Sequence, residues 1–136
     1  MKSNALSGSQ EDYLEAIHRI GRRKSSVRLS DIASEMTVTL PSVHGALKTL
    51  EKRDLVRHSR YDGVELTPAG RRIAASVYTR HRVLFAFLHD RLGCDTETAE
   101  RDACRMEHAV SGETLSRLLR FLQTRPDRQE TGGKPS

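Results

Sequence analysis

The chain has 136 residues, 30% of them charged, with a formal net charge of +5 at neutral pH. This length allows one compact domain or two small helical ones that share a core. Two cysteines, Cys94 and Cys104, are too few for a disulfide scaffold, and we assign Cys94 no role. No apolar run approaches a membrane span and no secretory leader pattern is present, so we expect a cytoplasmic protein without membrane association.

Positive charge is concentrated in one part of the chain. Residues 19–82 contain fourteen Lys and Arg against six Asp and Glu, and the other residues contain nine against twelve. A basic segment favours an acidic partner such as nucleic acid, although an ordinary solvated face has the same composition. The polar, Gly- and Pro-containing residues 126–136 predict a disordered tail.

Apolar periodicity predicts two helices in the first part of the chain. The first covers 9–24, with Ser9 as its N-cap. Residues 27–29 predict a short extended segment. A second, shorter helix covers 31–36 and is capped by Ser30.

A turn, a third helix and a hairpin are predicted next. Residues 37–40 form the turn, and the helix covers about 41–53, with a proline in its first turn where the missing N–H costs nothing. Residues 55–56 and 64–66 predict two strands, because Asp62-Gly63 is a strong hairpin-turn signal between them.

The rest of the chain predicts helices only. Thr67 caps a long helix that starts at Pro68 and ends near residue 91. Its apolar stripe includes His81, at a spacing of three or four residues from its neighbours. Two more helices are predicted over 96–110 and 111–124.

The order helix, short helix, turn, helix and two-stranded ribbon is that of a winged helix-turn-helix. In this motif the third helix enters the major groove of DNA and the wing contacts phosphate. The sequence therefore predicts a mainly α protein with an N-terminal winged helix-turn-helix and a two-stranded wing. A small helical core with basic edges is the alternative. The basic residues of the third helix and ribbon are Lys48, Lys52, Arg53, Arg57 and Arg60.

Cys104-x-x-Glu107-His108 is the strongest metal-binding pattern in the chain. At about 100° per residue these three side chains share one face of a helix. Thiolate, carboxylate and imidazole are common ligands of divalent transition metals. A buried cysteine beside an exposed Glu-His pair is the alternative.

Three further residues extend this ligand set. Asp12 and Glu15 are three residues apart on the first helix, where two solvated acids stabilised by the helix dipole are the alternative. His81 would otherwise be a core histidine with one hydrogen bond. Paired carboxylates with imidazoles suit Mn(II) or Fe(II), whereas a thiolate favours Fe(II), Co(II) or Zn(II).

Taken together, these patterns resemble the DtxR/MntR family of metal-dependent transcriptional repressors. The resemblance spans residues 9 to about 123 and rests on SQEDYLEAI at 9–17, VRLSDIA at 27–33, PSV at 41–43, GVELT at 63–67, RHR at 80–82 and ACRMEH at 103–108. It implies a homodimer that reads a palindromic double-stranded operator. It also implies a metal bound between the DNA-binding domain, 1–70, and a helical metal-binding and dimerisation domain, 71–125, in the short two-domain form of the family.

The same resemblance implies two neighbouring metal sites. Asp12, Cys104, Glu107 and His108 would form one, and Glu15, His81 and Glu107 would contribute to the other. The candidate DNA contacts are then Arg28, Thr39, Pro41, Ser42, His44, Lys48, Lys52, Arg57 and Arg60.

The sequence departs from the family pattern in several places. Manganese-type members have a bridging glutamate where Cys104 stands, and iron-type members have a methionine where Asp12 stands. Iron-type members also place ligands at the positions of Phe85 and Glu100, and a phenylalanine cannot ligate. Gly45 lies on the outer face of the third helix, where a base-contacting side chain is expected.

We therefore expect a non-enzymatic, metal-activated repressor of metal-homeostasis genes, with Mn(II) or Fe(II) as its cofactor. A winged-helix regulator with a degenerate metal site is the first alternative. A small metalloenzyme or metal-storage helical protein is a remote one, because residues 27–70 are already used by the winged motif.

Overall fold

A computed structural model of the chain describes residues 6–124. They divide after Tyr78 into two units with separate hydrophobic cores. The tail predicted to be disordered lies outside the described residues. Among the described residues, no helix has the length and apolar character needed to cross a membrane.

Helix α1 (Gly8–Gly21) begins at a capping box. The Ser7 hydroxyl accepts a hydrogen bond from the backbone N–H of Gln10, and the Gln10 side chain accepts one from the backbone N–H of Ser7. The prediction of Ser9 as N-cap is therefore wrong by two residues. The helix also ends three residues before the predicted boundary of 24.

The helix-turn-helix consists of α2 (Leu29–Met36) and α3 (Leu40–Lys52). Helix α2 starts before the predicted Ser30 cap, because the Asp31 carboxylate accepts the backbone N–H of Arg28 instead. Thr37 ends α2 in the left-handed conformation, with φ 56°. The Thr39 side chain caps α3 by accepting the N–H of Ser42 at 3.2 Å.

The predicted hairpin is confirmed. Strands β1 (Val56–Ser59) and β2 (Gly63–Leu66) pair antiparallel, with Val56 opposite Leu66. Gly63 adopts φ 84°, and a Cβ atom there would lie 2.5 Å from the Val27 carbonyl oxygen, so this position requires glycine. Val27 itself forms an isolated bridge to Val64, which agrees with the predicted extended segment.

The core of the first unit combines residues from α1, α2, α3, the wing and the segment that follows the wing. Its fully buried members include one face of each helix, and they pack the helix-turn-helix against α1. Residues of this core with no exposed surface include Leu14, Ile20, Ile32, Val43, Leu50 and Ala74.

Helix α4 (Pro68–Ala86) follows the wing. The Thr67 hydroxyl accepts the N–H of Gly70 at 3.0 Å, as the predicted cap requires. The predicted end near residue 91 is confirmed, but the α-helix itself ends at Ala86 and the last turn, Phe87–Arg91, is π-helical. The apolar spacing continues into the π-helical turn, so periodicity alone does not distinguish the two forms.

Helices α5 (Thr96–Met106) and α6 (Gly112–Gln123) complete the second unit. Helix α5 ends four residues before the predicted boundary of 110, because its chain turns at 107–109 before the Ser111 cap of α6. Arg91 donates to the carbonyl of Thr124 at 2.7 Å and joins the π-helical turn to the end of α6. The core contains Leu84, Leu88, Ala99 and Ala103.

Candidate metal centre and nucleic-acid interface

The second unit brings together three of the predicted metal ligands. His81 lies on α4, Cys104 lies on α5, and Glu107 is the C-cap residue of α5, held in helical conformation by its N–H bond to Ala103. One ligand atom from each of His81, Cys104 and Glu107 lies within 4.8 Å of the other two. This is close enough for one cation to contact all three after small side-chain movements.

His81 is held between two carboxylates. Its Nδ1 lies 2.9 Å from Glu107 Oε1, and its Nε2 lies 2.8 Å from Glu100 Oε1. Hydrogen bonds with Cys104 and then Glu107 are the largest causes that raise the pKa of His81 from 6.5 to about 11, and the Glu100 bond adds to them against the opposite effect of burial. The imidazole is therefore cationic at neutral pH without metal. A metal that binds it must displace its proton.

Glu107 is the most deeply buried member of the group. Its residue is 1% exposed, and its Oε2 atom makes no hydrogen bond within the described residues. That oxygen lies 3.3 Å from Nε2 of His108. A buried carboxylate oxygen without a donor is costly, and a bound cation would remove this cost. The imidazole, thiol and carboxylate therefore fit a divalent transition metal on both chemistry and spacing.

The structure also shows where each ligand lies on its own element. Cys104 is exposed, whereas Glu107 is buried and His108 is partly buried. The alternative of a buried cysteine beside an exposed Glu-His pair is therefore wrong. Glu100, which was not among the predicted ligands, contacts His81 directly; its spacing of four residues from Cys104 on α5 is the sequence signal that could have indicated this.

Asp12 and Glu15 lie on α1 in the first unit. Asp12 is partly buried, but Glu15 is only 6% exposed, so the alternative of two solvated acids is wrong for Glu15. Arg19 contacts the Glu15 carboxylate at 3.2 Å and donates to Glu35 on α2 at 2.9 Å. The Glu15 side chain therefore belongs to an ion-pair network between α1 and α2. Its role as a metal ligand, like that of Asp12, stays a prediction.

The predicted DNA-contacting residues all have exposed side chains on the first unit. They occupy the turn before α2, the N-terminal half and outer face of α3, and the wing. Thr39 and Ser42 also cap α3, so part of their role is structural. The full set is Arg28, Thr39, Pro41, Ser42, His44, Lys48, Lys52, Arg57 and Arg60.

A groove of about 310 Å³ separates the start of α3 from the wing. Its lining includes Arg28, His44 and Arg60. His58 and Tyr61 also line it, although they were not among the predicted DNA contacts. Tyr61 at the tip of the wing is 86% exposed. The burial of β1 does not alternate, because Val56 is buried and both Arg57 and His58 are exposed, so strand periodicity did not indicate what His58 faces.

A winged helix-turn-helix followed by a helical unit with a transition-metal ligand set defines a class: metal-responsive transcriptional regulators. Comparison with protein-family models agrees with both parts. Residues 5–64 match the iron dependent repressor N-terminal DNA binding domain. Residues 67–134 match the iron dependent repressor metal binding and dimerisation domain.

The chain belongs to this iron-dependent repressor family, and it is a metal-dependent transcriptional regulator with a DNA-binding and a dimerisation domain. It is 32% identical over 124 residues to an uncharacterised HTH-type transcriptional regulator of Methanocaldococcus jannaschii, covering 90% of this chain and 99% of the relative. It is 34% identical over 115 residues to the HTH-type transcriptional regulator MntR of Geobacillus kaustophilus, covering 85% and 81%.

A solved structure gives the same result for the fold. The manganese regulator SloR matches with a TM-score of 0.77 and 33% identity over 85% of this chain. The match covers 54% of the SloR chain, so this chain spans about half the length of that relative. The predicted fold class and family are therefore confirmed.

Proposed function

We propose that the protein is a homodimeric repressor of metal-homeostasis genes that binds a palindromic operator when Mn(II) or Fe(II) occupies its metal centre. The observation that carries this proposal is the cluster of His81, Cys104 and Glu107, with an unsatisfied Glu107 oxygen buried inside it. The relatives MntR and the manganese regulator SloR support manganese, and the iron dependent repressor family supports iron. The domains we propose are residues 1–70 for DNA binding and 71–125 for metal binding and dimerisation.

For DNA, we assign the two kinds of contact to different residues. Arg28, Lys52, Arg57 and Arg60 supply positive charge on exposed positions and would contact phosphate. The start of α3 would read bases in the major groove, as the second helix of a helix-turn-helix does. The residues for this role are Thr39, Pro41, Ser42, His44 and Lys48.

For metal, Cys104, Glu107 and His81 would hold the ion through sulfur, oxygen and nitrogen. The Cys104 thiolate favours Fe(II) over Mn(II), whereas carboxylates suit both. The bound ion would supply positive charge that satisfies Glu107 and replaces the proton of His81. His108, Asp12 and Glu15 complete the predicted ligand set, and the role of His108 is tested by its replacement with alanine.

Cobalt titration followed by absorption spectroscopy tests this ligand set. Co(II) bound to a thiolate gives a charge-transfer band, which we expect in the wild type and in Cys94→Ser but not in Cys104→Ser. Cys94 is the matched control, because it is a second free cysteine of the same unit, on the loop before α5. Cys104 is exposed, so its replacement by serine leaves the core intact.

DNA binding is then measured for the same proteins with Mn(II) or Fe(II) under anaerobic conditions. We expect Cys104→Ser and His108→Ala to lose most of the metal-dependent gain in affinity, and Cys94→Ser to keep it. An unchanged dimer and unchanged DNA affinity in the first two variants would contradict the proposal. That result would instead favour a winged-helix regulator with a degenerate metal site.

A further inference from the structure

Gly45 lies at the middle of the solvent-facing side of α3. The inner side of this helix is defined by the buried residues Val43, Leu47 and Leu50. At about 100° per residue, Gly45 points away from them, on the opposite side of the helix. Its exposure agrees with that position.

The neighbours of Gly45 on this outer side leave the helix backbone accessible. Residues three and four positions away share its face, and these are Pro41, Ser42, Lys48 and Thr49. All four are exposed. The Thr49 hydroxyl turns back and donates to the Gly45 carbonyl at 3.2 Å, so it lies along the helix.

The described part of the chain contains no structural reason for a glycine here. A Cβ atom built at Gly45 meets nothing within 4 Å, whereas one at Gly63 would lie 2.5 Å from a carbonyl oxygen. Gly45 lies inside an α-helix and is absent from the glycines with positive φ, which are Gly63 and Gly93. Glycine inside a helix lowers stability relative to alanine. No contact within the described residues offsets this cost at Gly45.

We propose that Gly45 is the point where the backbone of α3 comes closest to the base edges of operator DNA. This inference rests on the proposed function, because it needs α3 to enter the major groove. A helix with its side chains is about 10–12 Å across and the groove is about 12 Å wide, so a single added methyl group can hold the helix out. Lys48 and His44 are exposed and lie about 60° and about 100° around the helix from the bare position, both on the same side, so they can then reach one edge of the groove.

The test compares Gly45→Ala with the matched control Gly112→Ala. Gly112 is also exposed, helical and without any atom within 4 Å of a built Cβ, but it lies on α6. The probes are a duplex of about 30 bp, long enough for two half-sites, that the wild type enriches from a random pool with Mn(II), and an unrelated duplex of equal length.

We expect Gly45→Ala to raise the melting temperature by about 3 °C because it improves helix propensity. It should weaken binding to the enriched duplex about tenfold or more, which is the loss in affinity expected when one base pair is no longer recognised. Its affinity for the unrelated duplex should change by less than about twofold. Gly45→Leu should weaken binding to the enriched duplex further. Gly112→Ala should leave both affinities unchanged.

Three results would overturn the inference, and they are distinguishable. Unchanged affinity of Gly45→Ala for the enriched duplex would show that the glycine makes no close approach. An equal loss on both duplexes would show an effect on phosphate contacts instead. If the wild type enriches no sequence from the pool, the proposed function itself fails, and the role of Gly45 fails with it.

Discussion

Replacing Glu107 by glutamine removes the charge of a carboxylate that is fully buried in the candidate metal centre. The glutamine keeps the shape of the side chain and an acceptor for His81, whose Nδ1 lies 2.9 Å from Glu107 Oε1. What it loses is the anionic oxygen Oε2, which has no hydrogen-bond donor within the described residues. We therefore expect Glu107→Gln to fold and to lose metal binding.

The loss of metal stabilisation can be estimated because metal binding and folding are linked equilibria. At a Mn(II) concentration hundredfold above Kd, the metal stabilises the wild type by about 2.7 kcal/mol. For a chain of this size that is a rise in melting temperature of about 8–10 °C. Mutating a residue that only hydrogen-bonds to a metal ligand lowers metal affinity by up to about 100-fold. Losing Glu107, a direct ligand, should therefore lower the Mn(II) affinity at least about 100-fold. The remaining stabilisation of Glu107→Gln at the same Mn(II) concentration is then about 0.4 kcal/mol, or about 1 °C.

Thermal unfolding followed by circular dichroism, with Mn(II) and with a chelator, measures this shift. Glu113→Gln is the matched control, because Glu113 is an exposed glutamate of the same unit that pairs with Arg117 at 3.2 Å. A surface ion pair of this kind contributes about 0–1 kcal/mol, so this control should keep the full metal shift. A full shift in Glu107→Gln as well would refute the assignment of Glu107 as a ligand.

Three further predictions concern the wing, the metal centre and the DNA-binding face. Gly63→Ala should lower the free energy of unfolding by about 3 kcal/mol or more in urea denaturation. The reasons are its φ of 84° and the position of the added Cβ, 2.5 Å from the Val27 carbonyl oxygen. The control Gly21→Ala should change the free energy of unfolding little, because the Cβ at that position meets only a methyl group at 3.8 Å. Metal affinity should rise at least about tenfold per pH unit between pH 6 and 8 in calorimetric titrations, because His81, with its pKa raised to about 11, must release its proton to bind metal; a pH-independent affinity would show that His81 stays protonated. Lys52→Ala should weaken binding to all DNA sequences and flatten the salt dependence by about one unit of slope, because Lys52 is assigned to phosphate, whereas a loss confined to one operator base would mean that Lys52 reads sequence.

Local patterns in the sequence were sufficient for much of the fold. The Asp62-Gly63 turn, the Thr67 cap and the proline in the first turn of α3 act over a few residues, and each appears in the structure as predicted. The error at the start of α1 was avoidable, because Ser7 is followed three residues later by Gln10, which is the capping-box spacing. By contrast, the apolar spacing that continues past residue 86 carried no information on the change from α- to π-helix.

The candidate metal centre was predictable in its residue types but not in its contacts. His81 meets Glu107 across 26 positions and Glu100 across 19, distances over which no local rule applies. The Arg19–Glu35 pair spans 16 positions and is likewise long-range, whereas the Glu15–Arg19 pair follows the local four-residue spacing. Long-range pairing of charged groups depends on how helices pack, and one sequence read by periodicity does not contain that information.

The most direct test of a metal-activated repressor is the affinity of the wild type for its enriched duplex with Mn(II) or Fe(II) and with a chelator, measured anaerobically. Metal changes DNA binding only through its different affinity for the DNA-competent state, and coupling in allosteric proteins corresponds to about 5–150-fold. We predict a gain in DNA affinity in that range for at least one of the two metals. Equal affinity with either metal and with the chelator would contradict the account.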